Sequence, residues 1–291
     1  MAIMNYVTPG ITKIDYEDNL FVLTDVGRDN TKDVQALIES RGGIVKGSVT
    51  KSTNYLIYGD GEEETIKYKK ALELINDKGL EINVFPLSLF WIVCRGQGLV
   101  EFGIYPFDAD GTKRPIHWVI LKQDGNKALL RSVYGLDVKP YNEERKDITW
   151  ENCSLRKWLN EEFINTAFNA EEQQRIITTK LENADNLKYK TPGGNDTEDM
   201  VFSLSLCEVE EYLQTGAERA VLPTPYAVAQ GADKDVENNY CSWWLRSPGK
   251  DPYLAAGIYG VGGIFDYGFY VNCVDFAVCP AIWVNLESET K

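Results

Sequence analysis

Trp243-Trp-Leu-Arg-Ser-Pro-Gly249 and Cys279-Pro-Ala-Ile-Trp283 enclose a segment with a distinctive composition. Between them runs Ala255-Ala-Gly-Ile-Tyr-Gly-Val-Gly-Gly-Ile-Phe-Asp-Tyr-Gly-Phe-Tyr-Val-Asn-Cys-Val-Asp-Phe-Ala-Val278, where small and aromatic residues are interleaved. No Lys, Glu, Gln, Met or Trp occurs from Tyr253 to Cys279. Tyrosine gives a large contact area at low entropic cost, and small residues give an adaptable backbone. The segment therefore has the composition of a binding surface.

The composition of the whole chain limits the classes of partner. Its 291 residues are 44% hydrophobic and 25% charged, as in a globular protein of one large or two ordinary domains. The net charge is −14; residues 1–97 contain 11 basic and 14 acidic side chains, which leaves about −11 on the remainder. Nucleic-acid-binding proteins normally carry a basic face, and anionic membranes repel acidic proteins. The predicted partners therefore include neither nucleic acid nor membrane.

The sequence favours a reducing, cytoplasmic location. No apolar run approaches the roughly 20 residues of a membrane helix, and the N-terminus lacks the basic and apolar regions of a signal peptide. The six cysteines, at positions 94, 153, 207, 241, 273 and 279, show no metal-binding spacing. In a chain of this length they are expected to be buried thiols rather than a disulfide framework. Neither a cofactor nor a bound metal is predicted.

The first part of the chain alternates short apolar runs with helical patterns. The predicted strands are Leu20–Leu23, Ile44–Val45, Tyr55–Tyr58 and Ile82–Val84, and the predicted helices are Thr31–Ser40, Thr65–Asn76 and a short last helix around Phe90. This βαββαβα order predicts an α/β domain with a small parallel sheet covered by helices. The domain is predicted over residues 19–96, after an N-terminal extension over residues 1–18.

The stretch from Asn19 to Arg95 resembles a BRCT domain, the module of DNA-repair proteins and bacterial DNA ligases. The matching pieces are Phe21-Val-Leu-Thr24, Gly42-Gly43, Ser48–Leu56, Lys67–Ala71 and Phe90-Trp91. The resemblance implies a protein partner and an adaptor role.

Phosphopeptide-binding BRCT domains use a Ser or Thr at the end of the first strand, the following glycine amide, and a lysine that opens the second helix. The resemblance places Thr24, Asp25 and Lys67 at these positions. Asp25 departs from the pattern, because a carboxylate repels a phosphate. A phosphopeptide-reading adaptor that uses Thr24 and Lys67 is therefore an alternative to phosphate-independent protein binding.

A second domain is predicted over residues 99–288, after a joint at Gln97-Gly98. Its predicted strands are Phe102–Tyr105, Ile116–Leu121, Ala128–Val133 and Phe202–Leu206. Its predicted helices are Ser154–Asn160, with Ser154 as N-cap, Glu161–Ala167, Ala170–Ile177 and Cys207–Thr215. Residues 217–240 are predicted to form loops.

These residues resemble a family of bacterial domains of unassigned function that is abundant in gut Firmicutes. The shared motifs are Phe102–Tyr105, Pro115–Leu121, Trp150–Asn160, Trp243–Gly249 and Pro280–Trp283. That family is similar to the C-type-lectin fold shared by formylglycine-generating enzymes and the variable proteins of diversity-generating retroelements. The resemblance implies an α+β, lectin-like second domain, in which Trp150, Trp158, Trp243, Trp244 and Trp283 are expected in the core.

The retroelement resemblance implies a variable, ligand-binding surface. In those proteins the mutated Asn codons never yield Lys, Glu, Gln, Met or Trp, the five residues absent from Tyr253 to Cys279. Ile258, Ile264, Val271 and Val278 are expected to fill the core. The outward residues predicted to contact a protein or other macromolecular ligand are Gly257, Tyr259, Phe265, Asp266, Tyr267, Phe269, Tyr270, Asn272, Asp275 and Phe276. The alternative is an aromatic sheet that only packs.

An enzymatic alternative follows from the kinship with formylglycine-generating enzymes, which oxidise cysteine through a copper-binding cysteine pair. Cys273 and Cys279 would share one face if they lay on a continuous strand. The surrounding motif of those enzymes is missing, so no catalytic residue is predicted. His117, the only histidine, is expected to be structural. Gly193–Asp199 has oxygen ligands enough for Ca²⁺, but a solvated acidic loop is the favoured interpretation.

Overall fold

The structure is a computed structural model that describes residues 14–59, 65–235 and 239–286. The chain divides into two compact units, Met1–Leu99 and Val100–Lys291. Each unit contains buried apolar side chains of its own. The two units are described separately below.

The first unit is a parallel sheet with helices. Its elements are β1 (Leu20–Thr24), α1 (Arg28–Ser40), β2 (Ile44–Lys46), β3 (Tyr55–Tyr58), α2 (Ile66–Lys78), β4 (Asn83–Pro86) and α3 (Leu87–Cys94). The strand order is β2-β1-β3-β4, and every neighbouring pair is parallel. The predicted βαββαβα order and parallel sheet are confirmed.

Local residues explain where the first-unit helices begin and end. A Cβ at Gly43 would lie 2.5 Å from Ile38 and 2.9 Å from Phe21, so only glycine lets the chain leave α1 this close to β1. The Thr65 hydroxyl accepts a backbone hydrogen bond from the first turn of α2. Gly79, in the left-handed conformation, ends that helix.

Two residues of the predicted N-terminal extension pack within the first unit. Ile14 and Tyr16 are buried, and the Tyr16 ring stacks on Phe21 with 5.7 Å between ring centres. Phe21 in turn stacks on Tyr55 at 4.5 Å. Residues 1–13 of the predicted extension lie outside the described residues.

The second unit combines sheets with short helices. Its strands are β5 (Leu99–Pro106), β6 (Lys113–Asp124), β7 (Lys127–Ser132), β8 (Asp137–Val138), β9 (Thr179–Leu181), β10 (Thr197–Asp199), β11 (Trp243–Pro248), β12 (Leu254–Tyr259), β13 (Gly263–Tyr270), β14 (Ala277–Val278) and β15 (Ala281–Asn285). Its α-helices are α4 (Ser154–Trp158), α5 (Ile164–Ala167), α6 (Ala170–Arg175), α7 (Leu206–Tyr212), α8 (Gly216–Arg219) and α9 (Pro225–Ala229). A 3₁₀ turn, Trp150–Asn152, precedes α4, and a π-helical turn, Leu159–Phe163, joins α4 to α5.

Two larger sheets organise this unit. One has the order β13-β12-β11-β14-β8 and is mixed, because β11 and β14 are parallel while the other neighbours are antiparallel. The other has the order β15-β7-β6-β5, and β9 and β10 form a separate antiparallel pair. The described part of the second unit thus combines mixed and antiparallel sheets with short helices. Strand β13 is an edge strand of the five-stranded sheet.

Polar residues of two shared motifs, Trp150–Asn160 and Trp243–Gly249, form hydrogen bonds and ion pairs within the second unit. Buried Asp199 accepts hydrogen bonds from Trp150 Nε1 at 2.9 Å and Arg156 Nε at 2.6 Å. Buried Arg246 forms an ion pair with Glu208. A buried charge needs such partners, because its desolvation would otherwise cost several kcal/mol. These motif residues therefore have structural roles.

Several local predictions for the second unit are wrong. Cys153, not Ser154, is the N-cap of α4, since its sulfur accepts from the Arg156 amide. The predicted strand Phe202–Leu206 contains only an isolated bridge from Phe202 to Ala281, after which α7 begins. The predicted loops of residues 217–240 include α9 and part of α8. Of the tryptophans expected in the core, Trp158 and Trp283 are only partly buried.

Candidate functional site

The aromatic segment forms the hairpin of β12 and β13, and a bulge shapes its outer strand. Gly257 pairs with Phe265 and Ala255 pairs with Phe269, so β13 has two more residues than β12 in this interval. The bulge requires Gly268, whose φ is +89° and whose Cβ would lie 2.8 Å from the Gly249 Cα. Because the extra residues loop out, Phe265 and Phe269 come together, with 4.6 Å between ring centres.

Four aromatic side chains of the hairpin form one connected group, here called the β13 strip: Tyr259, Phe265, Tyr267 and Phe269. Phe265 contacts Tyr259 at 6.1 Å and Tyr267 at 5.9 Å between ring centres. Tyr259 is 48% exposed and Tyr267 is 43% exposed, while both phenylalanines are half-buried. The strip is therefore a partly exposed aromatic surface.

Glycines of the hairpin make room for these rings. A Cβ on Gly263 would lie 2.6 Å from the Tyr259 ring. A Cβ on Gly257 would lie 3.2 Å from Phe276 and 3.4 Å from Phe269. Gly257 is itself buried, so it positions rings beneath the surface rather than contacting a ligand directly. The burial of Gly257 contradicts the prediction that it contacts a ligand directly.

A second aromatic group, here called the Arg145 stack, consists of Arg145, Tyr253 and Tyr270. The two rings are nearly parallel, with 6.2 Å between centres. The Arg145 guanidinium carbon lies 3.8 Å from the Tyr270 ring centre and 5.3 Å from that of Tyr253. Tyr270 is 46% exposed. Among the described residues no ring of the β13 strip contacts Tyr270, so the aromatic residues predicted to contact a ligand form two groups, each of which includes residues of β13.

Residues outside the aromatic segment extend the β13 strip around Tyr267. The Tyr189 ring lies 5.9 Å from Tyr267, and the Lys250 ammonium lies 5.2 Å from the same ring centre. Leu187, two residues before Tyr189 in sequence, is 84% exposed. Asp266 forms an ion pair with Lys188 at 2.8 Å, which engages its carboxylate within the protein.

The structure contradicts the predicted position of Phe276 and of one framework residue. Phe276 is buried, and it stacks on Trp244 with 4.2 Å between ring centres. Ile264, expected in the core, is only half-buried, whereas Ile258, Val271 and Val278 are buried as expected. Asn272 and Asp275 are exposed in the turn after β13.

The two cysteines of the enzymatic alternative do not lie on a continuous strand. Cys273 follows the end of β13, and Cys279 follows β14. Burial raises the pKa of Cys279 to about 12, and nearby Arg131 opposes that shift only in part. Burial also raises the pKa of Cys241, so these thiols are protonated at neutral pH and are weak nucleophiles.

The remaining candidate ligands serve local structure. His117 lies on β6 with Nε2 3.1 Å from the Glu101 carboxylate, although neither ring nitrogen meets hydrogen-bond geometry with a described residue. Asp199, at the end of the predicted acidic loop, is the partner of Trp150 and Arg156. In the described ranges, no three His, Cys, Asp or Glu side chains are grouped as metal ligands.

The BRCT-like phosphate position of the first unit is occupied by contacts within the protein. The Thr24 hydroxyl donates to the Asp25 carboxylate at 3.0 Å. The Lys67 ammonium donates to the Leu23 carbonyl at 2.8 Å. Thr24 is buried, and Asp25 has a positive φ of 50°. The groups that would bind a phosphate are thus close together, but Thr24 and Lys67 already donate hydrogen bonds to acceptors within the protein.

The sequence interpretation missed the residues that flank the hairpin. Arg145 lies far upstream, and Lys250 and Tyr189 lie outside the stretch from Tyr253 to Cys279. Lys250 directly follows the Trp243–Gly249 motif, and this is the only signal that could have indicated it. Nothing in the sequence pattern indicated Arg145.

Comparison with known families assigns most of the second unit. Residues 125–286 match the family described as "Domain of unknown function (DUF6273)". The chain belongs to this family. Ahead of the DUF6273 region, residues 16–75 match the BRCA1 C Terminus (BRCT) domain, which confirms the predicted BRCT domain. The family match carries no lectin or retroelement description.

The curated relatives of this DUF6273 protein are DNA ligases that match a short part of it. The DNA ligase of Acanthamoeba polyphaga mimivirus is 55% identical over 42 residues, which are 14% of this chain and 7% of the ligase. The DNA ligase of Lachnoclostridium phytofermentans is 51% identical over 45 residues, 16% of this chain and 7% of the ligase. The DNA ligase of Ruminiclostridium cellulolyticum is 45% identical over 64 residues, 20% of this chain and 9% of the ligase. The chain thus spans less than a tenth of the length of these relatives.

Among solved structures, the DUF6273 protein is similar to Rad4 BRCT1,2 in complex with a Mdb1 phosphopeptide. The identity is 21% and the TM-score is 0.24, over 28% of this chain and 40% of that chain. Within the described residues, no helix has the length and hydropathy needed to span a membrane.

Proposed function

We propose that this protein is a two-part binding protein. Its BRCT domain serves as the adaptor that contacts a protein partner, and its DUF6273 unit binds a macromolecular ligand through the β13 strip and the Arg145 stack. The observation that carries the second part is the exposure of Tyr259, Tyr267 and Tyr270 on one hairpin. Exposed aromatic residues close together are typical of interaction sites, and tyrosine is enriched among the residues that dominate binding energy.

The internal contacts at Thr24, Asp25 and Lys67 support phosphate-independent binding by the BRCT domain. The Asp25 carboxylate accepts the Thr24 hydroxyl hydrogen bond and places a negative charge beside the position where a phosphate would bind. Two like charges in that position repel each other. Phosphopeptide reading therefore remains the less favoured role for this domain.

A binding role for the DUF6273 unit is also favoured over cysteine oxidation. Cys279 is buried with its pKa raised to about 12, and the two cysteines follow different strands, Cys273 after β13 and Cys279 after β14. A thiol must be accessible and ionised to attack a substrate. These properties support a packing role for Cys279.

A lectin-like, diversified surface is a second candidate for this unit. It is supported by the absence of Lys, Glu, Gln, Met and Trp over the 27 residues from Tyr253 to Cys279. A near-copy of the coding region for residues 253–279 next to a reverse transcriptase gene would support diversification. A coding region with no such template and no such gene in the genome would contradict it.

The binding role is tested by replacing both Tyr267 and Tyr270 with Ala in the full chain. We expect the amount of protein captured from a lysate of the source organism to be at least tenfold lower with this variant than with the wild type. The reason is that each such ring contributes about 1 kcal/mol or more at a binding hot spot. Exposed side chains contribute little to folding, so the melting temperature should change little.

The matched control is Tyr212→Ala, which removes a partly exposed tyrosine from α7. Quantitative mass spectrometry of the three captured samples checks the expectation. Equal capture by the wild type and the Tyr267/Tyr270 variant, or unfolding of that variant, would contradict the proposal.

A further inference from the structure

Two exposed cations on the candidate surface are held by tyrosine rings rather than by carboxylates. The Arg145 guanidinium lies over Tyr270 at 3.8 Å, and the Lys250 ammonium lies 5.2 Å from the centre of Tyr267. Neither cation has a carboxylate oxygen within 4.0 Å in the part of the chain that the structure describes. The two most exposed rings of the second half of β13 therefore each carry a cation with no carboxylate oxygen of the described residues within ion-pair distance. The Asp251 carboxylate accepts a hydrogen bond from Tyr253, the other ring beside Arg145, instead.

This arrangement contrasts with the charge balance of the chain. The sequence has 44 acidic and 30 basic residues, so carboxylates are the more abundant charge. Several other cations of the DUF6273 unit have carboxylate partners, among them Arg156 with Asp199, Lys188 with Asp266, and Arg246 with Glu208. Lys139 and Arg131 also lie near tryptophan rings without an ion pair to a described residue, but they are partly or fully buried, whereas Arg145 and Lys250 are exposed. The positive charges of Arg145 and Lys250 are therefore available to a ligand.

The stacking geometry suits recognition of a carboxylate. A guanidinium that lies flat on an aromatic ring keeps its N–H donors at its edge, where they can form two parallel hydrogen bonds to one carboxylate. Contact with the ring also limits the side-chain motion that would otherwise be lost on binding. Arg145 is exposed, so these donors are accessible to a ligand.

We propose that the ligand of this surface is an acidic peptide segment, which lies along β13 and places one carboxylate at Arg145 and another at Lys250. This inference rests on the proposed binding function of the DUF6273 unit. Strand β13 is the outermost strand of its sheet. Its Asp266 and Tyr267 carbonyls already accept hydrogen bonds from Asn186 and the Lys250 amide, so side-chain contacts rather than strand pairing would hold the peptide there. Tyr267 and Tyr270 are three residues apart, which is about 10 Å at most along a strand. Carboxylates two or three residues apart in an extended peptide have a similar spacing, and apolar side chains between them would contact the half-buried rings of the β13 strip.

A short peptide fits the electrostatics better than a polyanion. The remainder of the chain after residue 97 carries about −11, which repels a nucleic acid or a sulfated polysaccharide with charge along its whole length. Charges farther away than about 8 Å are largely screened at physiological ionic strength. A peptide with two carboxylates next to two cations therefore gains the local attraction and experiences little of the distant repulsion.

The test is selection of a displayed random peptide library on the immobilised full chain. We expect the selected peptides to contain Asp or Glu at two positions two or three residues apart, with aromatic or aliphatic residues next to them. A synthetic copy of the most enriched peptide then serves as the probe for affinity measurements. Arg145→Gln and Lys250→Gln should each weaken its binding about tenfold without a change in melting temperature.

Two controls assign the effect to these charges. The control variant Lys122→Gln removes another lysine whose ammonium lies near a tyrosine ring, 5.7 Å from the centre of Tyr212. Lys122 has a carboxylate partner, Glu211, at 3.9 Å. The Lys122→Gln protein should bind the probe as tightly as the wild type. A probe with Gln in place of both acidic residues should bind the wild type and the Arg145/Lys250 double variant equally weakly, as expected if the charges interact directly.

Each other outcome overturns the inference in a distinguishable way. Selected peptides that are neutral or basic, or a double variant with unchanged affinity, would refute the acidic peptide while leaving the binding function intact. Tighter binding of a sulfated oligosaccharide or a single-stranded oligonucleotide, lost in the double variant, would assign the cations to another class of anion. Selection of no peptide whose binding depends on Tyr267 and Tyr270 would refute the inference together with the peptide form of the proposed function.

Discussion

Asp25 is the residue at which the BRCT domain of this protein departs most from phosphate binding. Its φ of 50° is in the left-handed region, where L-residues other than glycine cost about 1–2 kcal/mol and Asp is one of the better tolerated. The resemblance to phosphopeptide-binding BRCT domains places a glycine here, so the backbone conformation is the one that suits glycine while the side chain is acidic. The hydrogen bond from the Thr24 hydroxyl to Asp25, at 3.0 Å, offsets part of this cost.

Asp25→Gly should therefore increase the free energy of unfolding by up to about 1 kcal/mol, because the gain from relieved backbone strain exceeds the lost hydrogen bond. Asp25→Asn is the control, since it keeps the strained backbone and a hydrogen-bond acceptor but removes the charge. Chemical denaturation of the full chain measures both variants. If Asp25→Gly proves no more stable than Asp25→Asn, the backbone at this position is not strained.

At the scale of secondary structure, the bulge in β13 is the feature that shapes the surface. It brings Phe265 and Phe269 together on one side and leaves Tyr270, the neighbour of Phe269, to join Arg145. The bulge depends on Gly268, where a Cβ would lie 2.9 Å from the Ala255 carbonyl oxygen in addition to its contact with Gly249. Backbone atoms on both sides cannot easily move away.

Gly268→Ala is expected to destabilise the DUF6273 unit by about 2–4 kcal/mol, the sum of left-handed backbone strain and of crowding against backbone atoms. Gly260→Ala provides the comparison, because φ there is +46° but the nearest atom to an added Cβ is 3.9 Å away. That variant should lose only about 1 kcal/mol. Equal losses in thermal denaturation would mean that crowding at the bulge contributes nothing.

The sequence predicted the first unit better than the candidate site for physical reasons. Strands β1 and β3 are buried on both faces, so each appears as a short apolar run that can be recognised from neighbouring residues alone. The burial of Phe276 depends instead on stacking against Trp244, and the position of Arg145 depends on a loop distant in sequence. Composition identified the aromatic hairpin, but only long-range contacts decide which of its rings face solvent.

At the scale of the whole molecule, the chain is two units with different charge and different architecture. A parallel α/β sheet occurs before residue 99, and mixed and antiparallel sheets follow residue 100. Each unit buries large aromatic side chains, such as Phe21 and Phe85 in the first and Trp118 and Trp244 in the second. Units with separate cores are expected to fold independently.

Division of the chain at residue 98 should accordingly leave two folded fragments. We expect each fragment to unfold cooperatively, and the melting profile of the full chain to equal the sum of the two profiles. Differential scanning calorimetry of the fragments and the full chain measures this. A fragment that unfolds without a cooperative transition would show that its core needs the other unit.

The way in which the hairpin is anchored has a consequence for protein engineering. Three of the contacts that hold it end on main-chain oxygens: Asn186 donates to the Asp266 carbonyl at 2.9 Å, Arg219 to that of Gly262 at 2.7 Å, and the Lys250 amide to that of Tyr267 at 2.7 Å. Every amino acid supplies such a carbonyl, so these three contacts do not depend on which side chains occupy positions 265, 267 and 270. The hairpin can therefore serve as a display scaffold, in which these positions are randomised to select new binding specificities while Gly257, Gly263 and Gly268 are kept.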